Sequence, residues 1–377
     1  MLTIEKIDTE NKAQVKRFVK LPHRLYQDCP QWVPLLDIDA YAYLNRKKHP
    51  FHEHSDVDFF LAVRDGRDVG RIATIENKPF NQYHKTKKAN FYFFDSEDDQ
   101  HVANALFETA FEWARNRGLD TIVGPKGMGP LDGYGLLERG YEHRNTMTML
   151  NYNYAYYKEL VESLGFEKEV DFVSCYLPAD NFRIPERVDR IARRVMERGH
   201  LEVKRFKNKK EMLQWAGRIG QAYNDAFVDN WEYYPLSQRE IDFVVENIMM
   251  IADYHMIKII VHGEDVVGFL FAFPDVSAAL QRSKGKLNPL SLIDLLLELK
   301  RTTSVSGNGM GILPEFQGHG GNAILYVEMG RTLLDFRHFE HVEMTQVAET
   351  TEQMRADLKN LNGVEYKNHR VYRKKIG

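Results

Sequence analysis

The sequence predicts an α/β chain of the α+β type, built as two similar domains that each carry a mixed, mainly antiparallel sheet flanked by helices. Three observations carry that expectation. The length of 377 residues exceeds what one hydrophobic core usually holds and suits two domains of roughly 180 residues. Short alternating apolar runs are interleaved with segments of helical period. The same order of elements also occurs twice along the chain, which fits a duplication argued from element order.

In the first half, Leu2 to Ile7 alternates like a strand, and a helical stretch begins at Lys12 that Pro22 is expected to interrupt. Two apolar runs, Phe59 to Val63 and Val69 to Ile75, flank Asp65-Gly66-Arg67-Asp68 and predict a hairpin. A strand at Ala89 to Phe94 leads into a helix from His101 to Arg117 that Gly118 ends, and Asp120 to Val123 follows as a strand. After a Gly-rich loop, Tyr154 to Leu164 has helical spacing and Val170 to Leu177 closes the half. The boundary is placed near residue 178, dividing the chain into 1–178 and 179–377.

A charged amphipathic helix, Pro185 to Gly199, opens the second half. The earlier order then recurs: a strand at Leu201 to Phe206, a helical region at 209–252, and a hairpin from Met256 to Phe273. A strand at Ser304 to Leu313 enters a Gly-rich turn. A helix from Asn322 to Phe336, a strand at Val342 to Val347, a helix from Thr351 to Leu361 and a strand at Tyr366 to Lys374 complete it.

Composition excludes several classes. A formal net charge of −3 gives no electrostatic case for nucleic acid, which draws on clustered Lys and Arg. Two cysteines, Cys29 and Cys175, neither form a disulfide framework nor have metal-ligand spacing. No apolar stretch approaches the roughly 18 residues of a membrane span, and no leader-like run opens the chain, so a cytoplasmic protein is expected. Peripheral contact at the inner membrane face stays open. His49, His52 and His54, with Asp56 or Asp58 nearby, are read as loop residues rather than a zinc site, and no metal is expected.

The most informative segment is Gly311-Ile312-Leu313-Pro314-Glu315-Phe316-Gln317-Gly318-His319-Gly320-Gly321-Asn322-Ala323, a strand ending in a Gly-rich turn that opens an apolar-periodic helix. Such a turn brings backbone N–H groups close to an anion, and the helix N-terminus adds partial positive charge. The spacing fits neither the Walker A nor the dinucleotide pattern. It resembles the acyl-CoA signature of the GCN5-related N-acetyltransferase (GNAT) superfamily, Q/R-x-x-G-x-G/A, with Gln317 and Gly320 in register and Asn322 where Gly or Ala is usual. The whole chain is similar to bacterial tandem-GNAT proteins through His49-Pro50-Phe51, Gly70-Arg71-Ile72, Gly124-Pro125, Gly133 to Gly140 and Tyr366 to Arg373.

That resemblance implies an acyl-CoA co-substrate, acetyl or longer. The backbone of Gly311, Ile312 and Leu313 would face the pantetheine arm, and Gln317 with the amides of Gly318, His319, Gly320, Gly321 and Asn322 would hold the pyrophosphate. In the first half, Asp95-Ser96-Glu97-Asp98-Asp99 stands where the turn would be, and an acidic turn repels pyrophosphate, so no CoA is expected there. Direct transfer from thioester to amine needs a base and an acid for the departing thiolate. The family's usual acid, a Tyr on the late helix, is replaced by Leu358, and by Val161 in the first half.

Glu349, just after the strand at 342–347, and Asp275, beyond the hairpin, are the candidate bases, each with the alternative of being a cap or a solvated charge. Trp231, Tyr234, Tyr372 and, in the loop from Gly124 to Gly140, Tyr134 are the candidate acceptor-site aromatics; core packing is their plainer role. The insertion Val276 to Arg301 is rich in leucine and reads as a helix packed between the halves, or as one that shields a long acyl chain or touches a membrane. Three functions remain: N-acyl transfer from CoA to a primary amine, including a lipid-like amine of the sphingoid-base type; non-catalytic acyl-CoA binding; and, less in keeping with the charge, tRNA-dependent aminoacyl transfer.

Overall fold

Strand β1 (Leu2–Lys6) pairs antiparallel with a strand fifty residues later, and helices α1 (Lys12–Leu25) and α2 (Asp37–Leu44) fill the interval. That partner, β2 (Asp56–Arg64), turns at Asp65 and Gly66, both at positive φ, into β3 (Arg67–Glu76). Then follow α3 (Lys78–His84), β4 (Lys88–Ser96), α4 (Gln100–Arg115), β5 (Thr121–Gly124), β6 (Leu136–Arg139), α5 (Tyr156–Glu162) and β7 (Glu167–Pro178). This computed structural model describes residues 1–146, 150–178, 183–336 and 338–377.

The remainder runs α6 (Glu186–Glu197), β8 (Glu202–Lys204), α7 (Lys209–Gln214), α8 (Ala216–Ala226), α9 (Gln238–Ile248), β9 (Ile257–His262) and β10 (Asp265–Pro274). Two insertion helices, α10 (Ser277–Ser283) and α11 (Pro289–Arg301), precede β11 (Ser304–Ile312), α12 (Gly321–Phe336), β12 (His341–Ala348), α13 (Glu352–Asn360) and β13 (Val364–Lys375). The chain forms two units. The first comprises Met1–Val173, Val276–Leu296 and Lys367–Gly377, and the second Ser174–Asp275 and Leu297–Tyr366. A single boundary near residue 178 does not describe this division, because Val276–Leu296 and Lys367–Gly377 group with the first unit.

Both units are built alike. In the first, the strand order β1-β2-β3-β4-β5-β13 is antiparallel except for the parallel pair β4·β5. The second has the order β12-β11-β10-β9-β8, antiparallel except for the parallel pair β11·β12. Each parallel pair follows a strand with a bulge: β3 and β4 slip register between Arg71 and Ala73, and β10 and β11 between Leu270 and Ala272. The duplication read from element order thus extends to sheet register.

Alternation along β2 shows why the first unit is stable. Phe60 and Ala62 enter a core with Val102, Leu106 and Phe107 of α4, while Phe59, Leu61 and Val63 enter another with Val15, Phe18 and Val19 of α1. The sheet is therefore buried on both faces. In the second unit, Ile257, Ile259, Val261, Phe269 and Phe273 form a core with Met212 and Ala222.

Two expectations need correction. Pro22 does not interrupt α1, which continues to Leu25. Proline removes the amide that would have bonded the Phe18 carbonyl, and Arg71 Nη1 donates to that carbonyl instead, at 2.9 Å. The Leu-rich insertion is two helices rather than one, because Lys284 and Gly285 both take positive φ. Among the described residues, no helix is long and apolar enough to cross a membrane.

Candidate functional site

The second unit's parallel ladder runs from Ser304↔His341 to Gly307↔Met344, yet β11 continues to Ile312 and β12 to Ala348. Beyond Gly307, β11 is held from its other side: Met310, Gly311 and Ile312 pair with Leu270, Phe269 and Gly268 of β10, and Leu313 donates to the Val267 carbonyl at 3.0 Å. Gly309, at φ 120°, follows the end of the ladder. One edge of β11 is thereby left to an extended ligand able to pair with main chain.

Side chains of this strand are taken up by packing, so the backbone is what it offers. A Cβ on Gly311 would lie 2.6 Å from Phe269 and 2.9 Å from Ala226, so glycine is required for α8 to approach the sheet. Ile312 points to the opposite face, where its Cδ1 lies close to Gly268 and Gly321.

Pro314 to Phe316 form one turn of 3-10 helix, and Gln317 folds back to donate from Nε2 to the Ile312 carbonyl at 3.1 Å. Gly318 and Gly320 take positive φ, and Gly320 also lies so close to α6 that a Cβ would meet Val195 at 2.8 Å. Among the described residues, the amides of Gly318 to Asn322 make no short, well-aligned backbone hydrogen bond, while the next two, of Ala323 and Ile324, bond the Gly320 carbonyl. Several consecutive donors at the start of a sixteen-residue helix have the chemistry that a phosphate cradle uses. Asn322 turns its side chain the other way, donating to Asp357 of α13 at 2.7 Å. Its departure from Gly or Ala therefore leaves its amide in the turn.

A polar patch missed by the sequence reading lies beside the end of the ladder. Glu343 is buried opposite Ser306, and paired residues of a parallel ladder face the same side. Two residues along β12, Thr345 donates to the Gly307 carbonyl and to Asn308. Tyr366 is hydrogen-bonded to Glu343; burial first, then Glu343, with Asp275 adding, pushes its phenol well above the usual tyrosine range. Ser306 Oγ is buried without a hydrogen-bond partner. Two buried carboxylates, a phenol and two hydroxyls thus collect at one end of β11 and β12, a constellation able to hold an ammonium and accept its proton.

Of the bases expected from sequence, Asp275 belongs to this patch: it is buried, and its amide donates to the Ser304 carbonyl at 2.8 Å. Glu349 lies half-buried in the turn directly after β12, in the field of Arg355, which is itself paired with Glu365. Trp231 and Tyr234 are half-buried between α8 and α9, and the Tyr234 hydroxyl donates to Glu240, which completes the capping box of α9. His319 is exposed in the turn. Leu358 and Val161 are buried apolar residues, and neither supplies an acid.

Tyr134 and Tyr372 belong to the first unit. Tyr134 stacks on Phe172, while fully buried Tyr372 donates its hydroxyl to Glu138 at 2.6 Å and Glu162 at 3.1 Å. The three histidines are engaged locally: His49 accepts from the Phe51 amide, His52 meets the Tyr43 carbonyl and His54 meets Ser55. Among the described residues, no group of three or more His, Cys, Asp or Glu is arranged to hold a metal.

The equivalent turn of the first unit is filled from within the chain. Asp95 accepts from Arg71 at 2.7 Å and from Tyr26 at 3.0 Å; Glu97 pairs with Arg24 and Arg67. Asp99 caps α4 through the His101 amide at 2.8 Å and pairs with Arg64. Carboxylates occupy the place that phosphate oxygens take at an anion-binding helix terminus.

Comparison with known proteins agrees with this architecture. The chain is 29% identical to a bacterial ceramide synthase from Caulobacter vibrioides, across 98% of this chain and 97% of that protein. It is 26% identical to protein YghO of Escherichia coli, across 97% and 94%. Among solved structures, a tandem GNAT protein from the clavulanic acid biosynthesis pathway superposes with a TM-score of 0.57 at 12% identity, covering 100% of this chain and 99% of that one. No protein-family profile matches. The fold is a tandem GNAT fold.

Proposed function

We propose that the protein is an acyl-CoA-dependent N-acyltransferase that moves an acyl group directly from the CoA thioester to a primary amine. The observation that carries this reading is the pairing of two features in one unit: a strand edge left open beyond Gly307 and a run of amides from Gly318 to Asn322 that make no short, well-aligned backbone hydrogen bond. Pantetheine would lie along the β11 edge, with the pyrophosphate on the turn. Its thioester would then fall near the Glu343, Asp275 and Tyr366 patch. The acceptor ammonium would lose one proton to a carboxylate there, Glu343 being our first assignment and Asp275 or Glu349 the alternatives; the freed lone pair attacks the carbonyl carbon, the C–S bond breaks as CoA thiolate leaves, and the nitrogen gives its second proton to water. With apolar Leu358 at the usual acid position, water protonates the thiolate.

A lipid-like amine accepting a long acyl chain is the finer reading of the acceptor. It is supported by the near full-length similarity to the Caulobacter protein named a ceramide synthase. The test is release of free thiol from acetyl-CoA and palmitoyl-CoA in the presence of a panel of amines that includes sphingoid bases. Thiol release that depends on a long-chain base and yields the corresponding amide supports this reading. CoA binding without thiol release from any amine points to a non-catalytic acyl-CoA-binding protein.

A further inference from the structure

Helix α11 is amphipathic in the wrong sense for a helix facing water. At 100° per residue, Leu290, Leu292, Ile293, Leu296 and Leu297 occupy an arc of roughly 160°, and all five are exposed, Leu290 at 79%, Ile293 at 55% and Leu296 at 49%. Its acids lie on the less exposed side: Asp294 is half-buried and paired with Arg282 at 2.9 Å, Glu298 is half-buried, and only Leu295 is fully buried. A surface helix normally turns its charges outward and its leucines inward.

The apolar arc has neighbours of the same kind. Gly285, between α10 and α11, accepts from the Asp37 amide at 2.7 Å, which places the start of α2 beside the insertion. Leu35 and Ile38 there are exposed, as is Leu287 just before α11. The charge of the insertion itself is opposite to that of the whole chain, while the α2 flank adds Asp37, which is paired with Lys20, and Asp39. Residues 276–301 carry five basic side chains, Arg282, Lys284, Lys286, Lys300 and Arg301, against the acids Asp294 and Glu298, a balance of 5 − 2 = +3 where the chain as a whole is −3. All five basic residues are exposed.

We infer that α11, with the Leu35 and Ile38 flank, is an interfacial docking surface for an anionic lipid bilayer, lying in the headgroup plane with its leucines in the acyl boundary and its basic residues among phosphates. Apolar insertion supplies the affinity, and the local positive balance selects anionic lipid. Lys300 is on the apolar arc near the helix C-terminus, where a long side chain can extend its ammonium to the headgroups. The inference gives the lipid-amine reading a route to its acceptor but does not depend on it, since docking is measured without turnover.

The experiment is co-sedimentation of the full chain with vesicles of phosphatidylcholine alone and of phosphatidylcholine mixed with phosphatidylglycerol, at low and high salt. Wild type is expected to sediment with the mixed vesicles, less so at high salt. Leu290→Glu with Ile293→Glu, both changes at exposed sites, is expected to lower the bound fraction by about tenfold or more with the circular dichroism spectrum unchanged. Val364→Glu, at an exposed position of β13, is the control and should bind like wild type. Sedimentation velocity without lipid tests a second copy as occupant. Equal loss in the Val364→Glu control, binding indifferent to the Leu290 and Ile293 changes, or a lipid-free dimer that those changes dissolve would each overturn the inference.

Discussion

The side chain of Asn322 donates to Asp357 at 2.7 Å, tying the first turn of α12 to α13. Asp357 is buried and also accepts from the Tyr326 hydroxyl at 3.3 Å and from Gln353 at 2.9 Å. Removing this shared acceptor strands three donors. Asp357→Ala is expected to cost about 1–3 kcal/mol in denaturant unfolding. Asn322→Gly keeps the backbone amide, so CoA affinity should remain within about threefold of wild type while stability falls by about 1 kcal/mol.

Glu343 should separate chemistry from cofactor binding. Once an acceptor amine is in hand, Glu343→Gln is expected to lower kcat by about 10²–10⁴-fold at neutral pH with CoA affinity unchanged by calorimetry. Glu349→Gln and Asp275→Asn, measured alongside, identify the base by which carboxylate carries the larger loss. A Glu343→Gln enzyme with wild-type kcat would return the role to one of those two.

In the first unit, Asp99 takes the place of a phosphate at the start of α4. Asp99→Ala removes both the cap and the partner of Arg64, and about 1 kcal/mol of stability should be lost in chemical denaturation. CoA affinity should not change, and calorimetry should count one CoA per chain.

His23 on α1 gives a pH signature. Burial, helped by nearby Lys20, lowers its pKa from 6.5 to about 4 in the folded chain. Above 6.5 the imidazole is neutral in both folded and unfolded states, so its contribution is complete there. Below that, the unfolded chain takes the proton first, and stability falls as pH drops from 6.5 toward 4. The thermal midpoint of His23→Gln should therefore change less than that of wild type between those limits. Parallel curves would remove His23 as a source of acid sensitivity.

Much of the architecture was legible because it is local. Period-2 runs such as Phe59 to Val63 named the strands, and Gly118 and Gly263 sit at positive φ where a helix end and a hairpin turn were expected. Pro22 misled because its cost depends on who takes the stranded carbonyl, and Arg71 is about fifty residues away. Strand β6 escaped because Leu136 to Arg139 lies in a Gly-rich loop and pairs with the end of the chain.

The turn at 317–322 could be read from spacing, but the patch at Glu343 could not be read from any one segment. A carboxylate at an interior strand position with Thr two residues on was the available signal. Its meaning depended on register with Ser306 and on Tyr366, which come from other strands.

The most direct test of the central claim is titration calorimetry of CoA, acetyl-CoA and palmitoyl-CoA into wild type, His319→Glu and His319→Gln. Residue 319 is exposed and its φ is not in the left-handed region, so the substitutions change charge with little backbone strain. The account predicts one CoA per chain, a loss of about tenfold or more in His319→Glu, where a carboxylate joins the phosphate turn, and near wild-type affinity in His319→Gln. Binding indifferent to the His319→Glu charge, or no binding of any CoA species to wild type, would contradict it.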